Sequence, residues 1–415
     1  MTFAGWQSLA PAAAAAEFGR RLAALPEAQR RAAIAIVPSA EELERRFASA
    51  PRGGPLGGVP VLLKDLFDAA GEETRAGSTF LPEVRPAGSD GGLAAAWRSA
   101  GLVLAGKTHM VEFAYGMTGE NAHFGDCVSP RAPDRTSGGS SSGSAVAVAA
   151  GLVPLAAASD TGGSVRVPAA FCGLYGMRLT PGHPWIADAV PLAPSMDTPG
   201  WFTATAEDMR HALEVFAPAK AGGSPTPRGA YFAPEGLDPD VAAACGAAAA
   251  KLAPAANGRL VRGLTEGFAD AARAYQVLGG VEAWSYHRPW FERYRERYDP
   301  RTRARLEAAS RLTGAEIAAA RVVAARVRRA WEEYFAENDF LIMPATPCPA
   351  LRPEEFTQEN RMRLLGLTAP ASLAGLPALT VPVALMSAVG ELTAGLQIIT
   401  RDAGYPLLRG LLAQM

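Results

Sequence analysis

From about Gly53 to Ile186, short apolar runs alternate with Ala-rich segments of helical period. The runs Val59–Leu63, Leu102–Ala105 and Leu155–Ala158 have strand length, whereas Leu93–Ala100 repeats at helical spacing and is stopped by Gly101. Strands and helices in turn predict an α/β fold, a sheet covered by helices. Residues 1–50 place Phe18, Leu22, Leu25, Leu43 and Phe47 at helical intervals among Arg and Glu, and read as peripheral helices. Between 206 and 338 charge rises, with Arg293–Arg297 and Arg321–Glu333 reading as solvated helices around a Gly/Pro/Ser patch at Ala221–Gly229. Apolar strands return at Phe340–Met343, Ala378–Leu385 and Leu396–Ile399. A chain that leaves a sheet and comes back to it predicts one domain over 1–415. Its parts are N-terminal helices (1–50), a core (51–205), a helical excursion or lid (206–338) and C-terminal core strands (339–415). There is no internal repeat.

Composition narrows the classes. Hydrophobic residues at 49% and charged residues at 20% of 415 fit a globular chain, and a net charge of -1 gives no footprint for nucleic acid or an anionic membrane. That balance suggests a small neutral partner. The longest apolar run, Ala145–Ala158, is interrupted by Gly151 and Pro154 and is too short to span a bilayer, and Glu17, Arg20 and Arg21 break up the Ala-rich start. Cys127, Cys172, Cys245 and Cys348 form no CxxC pair, which predicts reduced thiols in a cytoplasmic protein and no metal site.

The densest chemistry lies between Gly138 and Ser164, where Ser140 and Ser164 each follow a pair of glycines. Glycine lets backbone approach a bound group, and a hydroxyl beside bare N–H groups offers both a nucleophile and donors for an oxyanion. This points to a serine hydrolase. Gly101–Thr108, GLVLAGKT, fits a phosphate-loop pattern, but its intervening Leu, Val, Leu and Ala form a strand of their own. His109, His123, His183, His211 and His287 stand in no ligand spacing, and the serines lack a GxSxG elbow. Lysine is then the next base to consider. Lys64 ends an apolar strand that could desolvate its amine; the alternative is a structural ion pair with Asp65 or Asp68.

Three blocks together resemble the amidase signature hydrolases: GGVPVLLKDLFD (Gly57–Asp68), the run Ser137–Arg178, and LAGLPALTVPVA (Leu373–Ala384) leading into GLQII (Gly395–Ile399). The resemblance covers most of 50–205 and 335–415 and is weak between them. It implies a large mixed central sheet flanked by helices on both faces, and a Ser-cisSer-Lys triad with Ser164 as nucleophile, Ser140 as the bridging serine after a cis peptide and Lys64 as base. The backbone of Thr161, Gly162, Gly163 and Ser164 would form the oxyanion hole. No metal or cofactor is implied. Met110, Phe113, Tyr115 and Met117 resemble the segment lining the acyl pocket, the Asp197–Phe202 segment with Trp201 a second wall, and Ser141 either a site hydroxyl or a helix cap. Ser142 stands where glycine is usual, and Arg178-Leu-Thr replaces the usual Lys-Pro-Ser/Thr.

The implied activity is hydrolysis of a small carboxamide to acid and ammonia or amine, as in compact amidases of the indole-acetamide type. The implied assembly is a monomer or homodimer, with neither nucleic acid nor membrane as partner. The alternatives are a glutamine-hydrolysing subunit of a tRNA-dependent amidotransferase and a non-catalytic binding homologue.

Overall fold

The structure, a computed structural model, describes residues 1–81, 87–218, 227–385, 391–402 and 406–413. Ten strands form one mixed sheet. Their order is Ile34–Ile36, Val103–Thr108, Pro60–Lys64, Leu155–Asp160, Thr198–Thr203, Tyr175–Arg178, Ala378–Ala384, Thr393–Thr400, Phe340–Pro344 and Gly229–Tyr231. Pro60–Lys64 pairs in parallel with Val103–Thr108 and with Leu155–Asp160, because a helix carries the chain back each time. Thr198–Thr203 and Thr393–Thr400 run antiparallel to both of their neighbours.

Central strands read as apolar runs because both of their faces are covered, and every residue of Leu155–Asp160, Thr198–Thr203 and Thr393–Thr400 is buried. Phe340 and Ile342 enter one core cluster, Leu341 and Met343 the other. One face packs against the helices Gly92–Ser99, Ala206–Phe216 and Pro239–Ala249 through Leu93, Leu213 and Val241. The opposite face packs against Ser142–Ala149, Arg166–Cys172 and Gln358–Leu373 through Val148, Ala169 and Leu365. This is the helix-covered α/β sheet that the alternation predicts, with the mixed strand order that the family resemblance implies.

Two short strands escaped the sequence reading. Ile34–Ile36, inside the expected N-terminal helices, pairs antiparallel with the Val103–Thr108 strand, and Gly229–Tyr231, inside the expected helical excursion, adds in parallel to Phe340–Pro344. Three residues give no period to read, and pairing with an existing edge decides their state. Most of the Ala221–Gly229 patch, residues 221–226, lies outside the described residues. Lys107 sits in a strand and its Nζ pairs with Asp65 at 2.9 Å, so the phosphate-loop pattern is a buried structural lysine.

The last residue of the Leu155–Asp160 strand ties the two halves of the chain together. Asp160 is fully buried and accepts hydrogen bonds from the backbone N–H groups of Gly163, Val165 and Arg166, from Nε and Nη2 of Arg166, and from Nη1 of Arg178. Burial alone would push its carboxyl up; the two guanidinium groups outweigh that and hold it well below the ordinary carboxylate range. Arg166 also reaches the Thr368 carbonyl, Ser372 Oγ and Gln397 Oε1, more than 200 positions away. Removing one member of such a cluster leaves the others charged and unpaired. Asp160→Ala is therefore expected to destabilise the fold by about 3–5 kcal/mol, read as a lowered urea midpoint; an unchanged midpoint would show that the cluster does not bind the halves together.

Candidate active site

Lys64 ends its strand with its side chain wholly inside the protein. Its Nζ donates to Ser140 Oγ at 2.8 Å and to Ser159 Oγ at 2.7 Å. Burial pushes the amine down to about 7 from 10.5, against the opposing charges of Asp160 and Asp197. The ion pair considered from sequence does not form: Asp65 pairs with Lys107, and Asp68 accepts from the Thr74 hydroxyl.

Ser140 lies between the Gly138-Gly139 turn and the helix Ser142–Ala149, and the Gly139–Ser140 peptide bond is cis. Ser140 is fully buried, and its carbonyl accepts from the Val111 N–H. Of the two readings of Ser141, the helix cap does not form. It donates from Oγ to the Ser159 carbonyl at 3.1 Å, and makes no side-chain cap bond. It thereby fixes the helix start to the strand that carries Ser159.

Ser164 follows the loop that Asp160 organises and leads into the helix Arg166–Cys172. Like Lys64 and Ser140, it is buried. Gly163 holds φ at +131°, a conformation that disfavours any side chain. At Gly162 a Cβ would meet the Tyr275 ring at 2.3 Å, so the loop backbone and that tyrosine are in direct contact. Thr368 Oγ1 donates to the Gly162 carbonyl at 2.5 Å and turns the loop's carbonyl away. Of the four backbone groups expected in an oxyanion hole, Gly163 is the exception: its N–H is already given to Asp160 Oδ1 at 2.8 Å. Among the described residues no partner is found for the N–H groups of Thr161, Gly162 and Ser164. The Thr161 hydroxyl donates to Asp197 Oδ1, and the other carboxylate oxygen of Asp197 accepts from the N–H groups of Leu192 and Ala193.

The expected pocket residues separate. Trp201 is core: it is fully buried in the Thr198–Thr203 strand with its ring edge-on to Phe216, 5.4 Å between centroids. Extended backbone alternates side chains between faces, and Trp201 shares a cluster with Leu213 and Met209 while its neighbour Phe202 packs with Val148. Met110 is 1% exposed and packs in the same core, and Phe113 packs edge-on against His287. Tyr115 and Met117 stay close to the site. Met117 Cε lies 3.1 Å from where a Gly163 Cβ would be, and Tyr115 lines a cavity with Arg361.

Ser159, Asp160 and Arg178 were missed as site residues. Ser159 and Asp160 stand directly before the recognised Thr161–Ser164 segment, and Arg178 is the residue that departs from the usual lysine. Arg178 donates to both the carbonyl and the carboxylate of Asp160, so the departure touches the root of the Ser164 loop. Among the described residues no cluster of three or more His, Cys, Asp or Glu side chains could hold a metal ion, and no helix is long and apolar enough to cross a membrane.

Comparison with known proteins identifies the family. The sequence model of the family described as Amidase matches residues 20–233 and 237–404, including the middle region that the three blocks leave weakly covered. A 2-amino-5-chloromuconic acid deaminase of Comamonas testosteroni is 33% identical over 378 residues, 83% of this chain and 78% of that protein. One subunit of the glutamyl-tRNA(Gln) amidotransferase of Symbiobacterium thermophilum is 33% identical over 416 aligned residues, 89% of this chain and 84% of the relative. Among solved structures, one described as an amidase superposes with a TM-score of 0.81 at 27% identity, covering 99% of this chain and 98% of its own. A 6-aminohexanoate cyclic dimer hydrolase complexed with substrate gives 0.80 at 25% identity, covering 98% and 93%. The chain belongs to the amidase family, the amidase signature hydrolases that act on amide C–N bonds.

Proposed function

We propose that this amidase hydrolyses a small carboxamide through an acyl-enzyme on Ser164, with Lys64 as base and Ser140 as proton relay. The observation that carries the reading is the 2.8 Å contact between a fully buried lysine amine and the Ser140 hydroxyl. An ordinary lysine near 10.4 is neutral in roughly one molecule in two thousand at pH 7. Burial that brings the amine to about 7 makes about half of it neutral there, a gain near a thousandfold in competent base. Its lone pair then takes the Ser140 proton, Ser140 takes that of Ser164, and Ser164 Oγ attacks the amide carbonyl. The N–H groups of Thr161, Gly162 and Ser164 would face the developing oxyanion. The proton returns through Ser140 to the departing amine, and water, deprotonated along the same relay, releases the acid. The reaction calls for no metal or cofactor. The same reading has one domain acting in the cytoplasm on a small amide, as a monomer or homodimer.

A second reading rests on the relative from the glutamyl-tRNA(Gln) amidotransferase. Ammonia release from glutamine only in company with co-purifying subunits would favour it.

Ser164→Ala is expected to lower kcat for amide hydrolysis by about a thousandfold or more and to abolish fluorophosphonate labelling at unchanged thermal stability. Retained turnover would sink the assignment of the nucleophile. The base must be neutral, so kcat/KM should rise with pH through about 7. Ser159 Oγ accepts from Nζ and so favours the charged amine; Ser159→Ala should move that rising limb to lower pH. A limb that stayed in place, or moved upward, would mean that another group sets it.

A further inference from the structure

The region richest in unexplained charge lies one side chain away from the Ser164 loop. A cavity of about 580 Å³ opens among the helices Ala271–His287, Pro300–Ala309 and Gln358–Leu373. Its wall carries Arg273, Arg301, Arg305, Arg311 and Arg361, with Glu316 as its acid. Three of these arginines are spoken for: Arg273 meets Glu316 at 3.3 Å, Arg301 lies 4.0 Å from Asp299, and Arg305 divides itself between the Tyr115 carbonyl and Glu120.

Arg361 is different. It is 9% exposed, its buried Nε has no hydrogen-bond partner, and among the described residues no acid pairs with its guanidinium. Glu120 attracts it only at longer range and is already paired with Arg305, so a bound anion would supply the direct partner that a buried cation calls for. Arg361 also lines a narrow cleft with Tyr115 and Tyr275, and the Tyr275 ring rests on Gly162 of the Ser164 loop. Tyr275 thus links the Arg361 cleft to the Ser164 loop.

Resting on the amidase reading above, we propose that the substrate is an anionic amide, a carboxamide whose acyl portion ends in a carboxylate, and that Arg361 receives this carboxylate. The planar guanidinium offers a fork that matches two carboxylate oxygens. Arg305, across the cavity, adds positive potential, and Tyr275 separates the bound carboxylate from the scissile carbonyl. Arg361 is in this view a specificity-determining residue, which holds one end of the substrate while the chemistry takes place at the other.

The test is calorimetric titration of Ser164→Ala protein with aliphatic and aryl half-amides of dicarboxylic acids, each matched to its neutral diamide. The half-amides should bind more tightly than their diamides by at least about thirtyfold, the weak end of what a buried charge pair contributes. Adding Arg361→Gln should erase this preference by weakening the half-amides alone, and Arg361→Lys should restore part of it. Equal affinity for anionic and neutral members, or a preference that survives Arg361→Gln, would overturn the proposal. The parent comparison needs no Arg361 variant to fold. Ammonia release by the unmodified protein reports separately on the amidase reading: hydrolysis of neutral amides without any anion preference would keep the enzyme and discard this site. Anion preference without hydrolysis would do the reverse.

Discussion

Two buried charges of opposite fate set the terms for this structure. Asp160 is held as an anion while burial disfavours the charged form of Lys64, although both are fully buried and sit on neighbouring strands. Solvent cannot make that distinction, so the surroundings do. Asp160 is enclosed by two guanidinium groups and three backbone N–H groups, each of which favours the ionised carboxylate. Lys64 is given two hydroxyl oxygens and no carboxylate within bonding distance, so desolvation decides its state. Because Arg166 and Arg178 absorb the charge of Asp160, that anion can hold the Ser164 loop without fixing a proton on the lysine nearby.

Those two solutions explain why the site needs a sheet of this size. The Asp160 cluster draws on Arg166 from one helix, Thr368 and Ser372 from another, and Gln397 from a strand near the other end of the chain. The contacts that Arg166 makes with Thr368, Ser372 and Gln397 span the chain, so the loop is positioned only when the first core segment and the returning C-terminal strands are packed together. The Lys64 pair depends on the parallel register between Pro60–Lys64 and Leu155–Asp160, which brings Ser159 and the Ser142–Ala149 helix to the end of the lysine strand.

How far this was legible in the sequence follows from the same geometry. Lys64, Ser140 and Ser164 stand in long local patterns, and the alternation of strands and helices announced the covered sheet. Trp201 was misassigned because extended backbone sends successive side chains to opposite faces, and a segment that passes the site can turn its largest residue away from it. Ser159 and Asp160 adjoin the recognised motif, yet Lys64, Arg178 and the partners of Arg166 lie at distances in the chain that no spacing encodes. Arg178 contacts Asp160, the support of the Ser164 loop, and that link is invisible in a sequence where it stands only as a departure from lysine. The three-residue strands Ile34–Ile36 and Gly229–Tyr231 exist through pairing alone.

Net charge is silent on how charge is placed. A balance of -1 sums over the whole chain and does not show the segregation of charge that recognition uses. The helical region between the core segments contributes Arg273, Arg301 and Arg305 to the cavity wall, the first two of them exposed at its rim. An amphipathic helix rich in arginine has the same pattern whether its charges meet water or line a cavity; only the partner elements decide. In this fold the long helix Gln358–Leu373 makes that decision, since it carries both Thr368, which bonds the Ser164 loop, and Arg361, two turns earlier, which faces the cavity. A shift of that helix would move both at once. Chemistry and recognition are therefore coupled through one rigid element, which requires the distance between a substrate's charged end and its scissile carbonyl to match a length that the helix fixes.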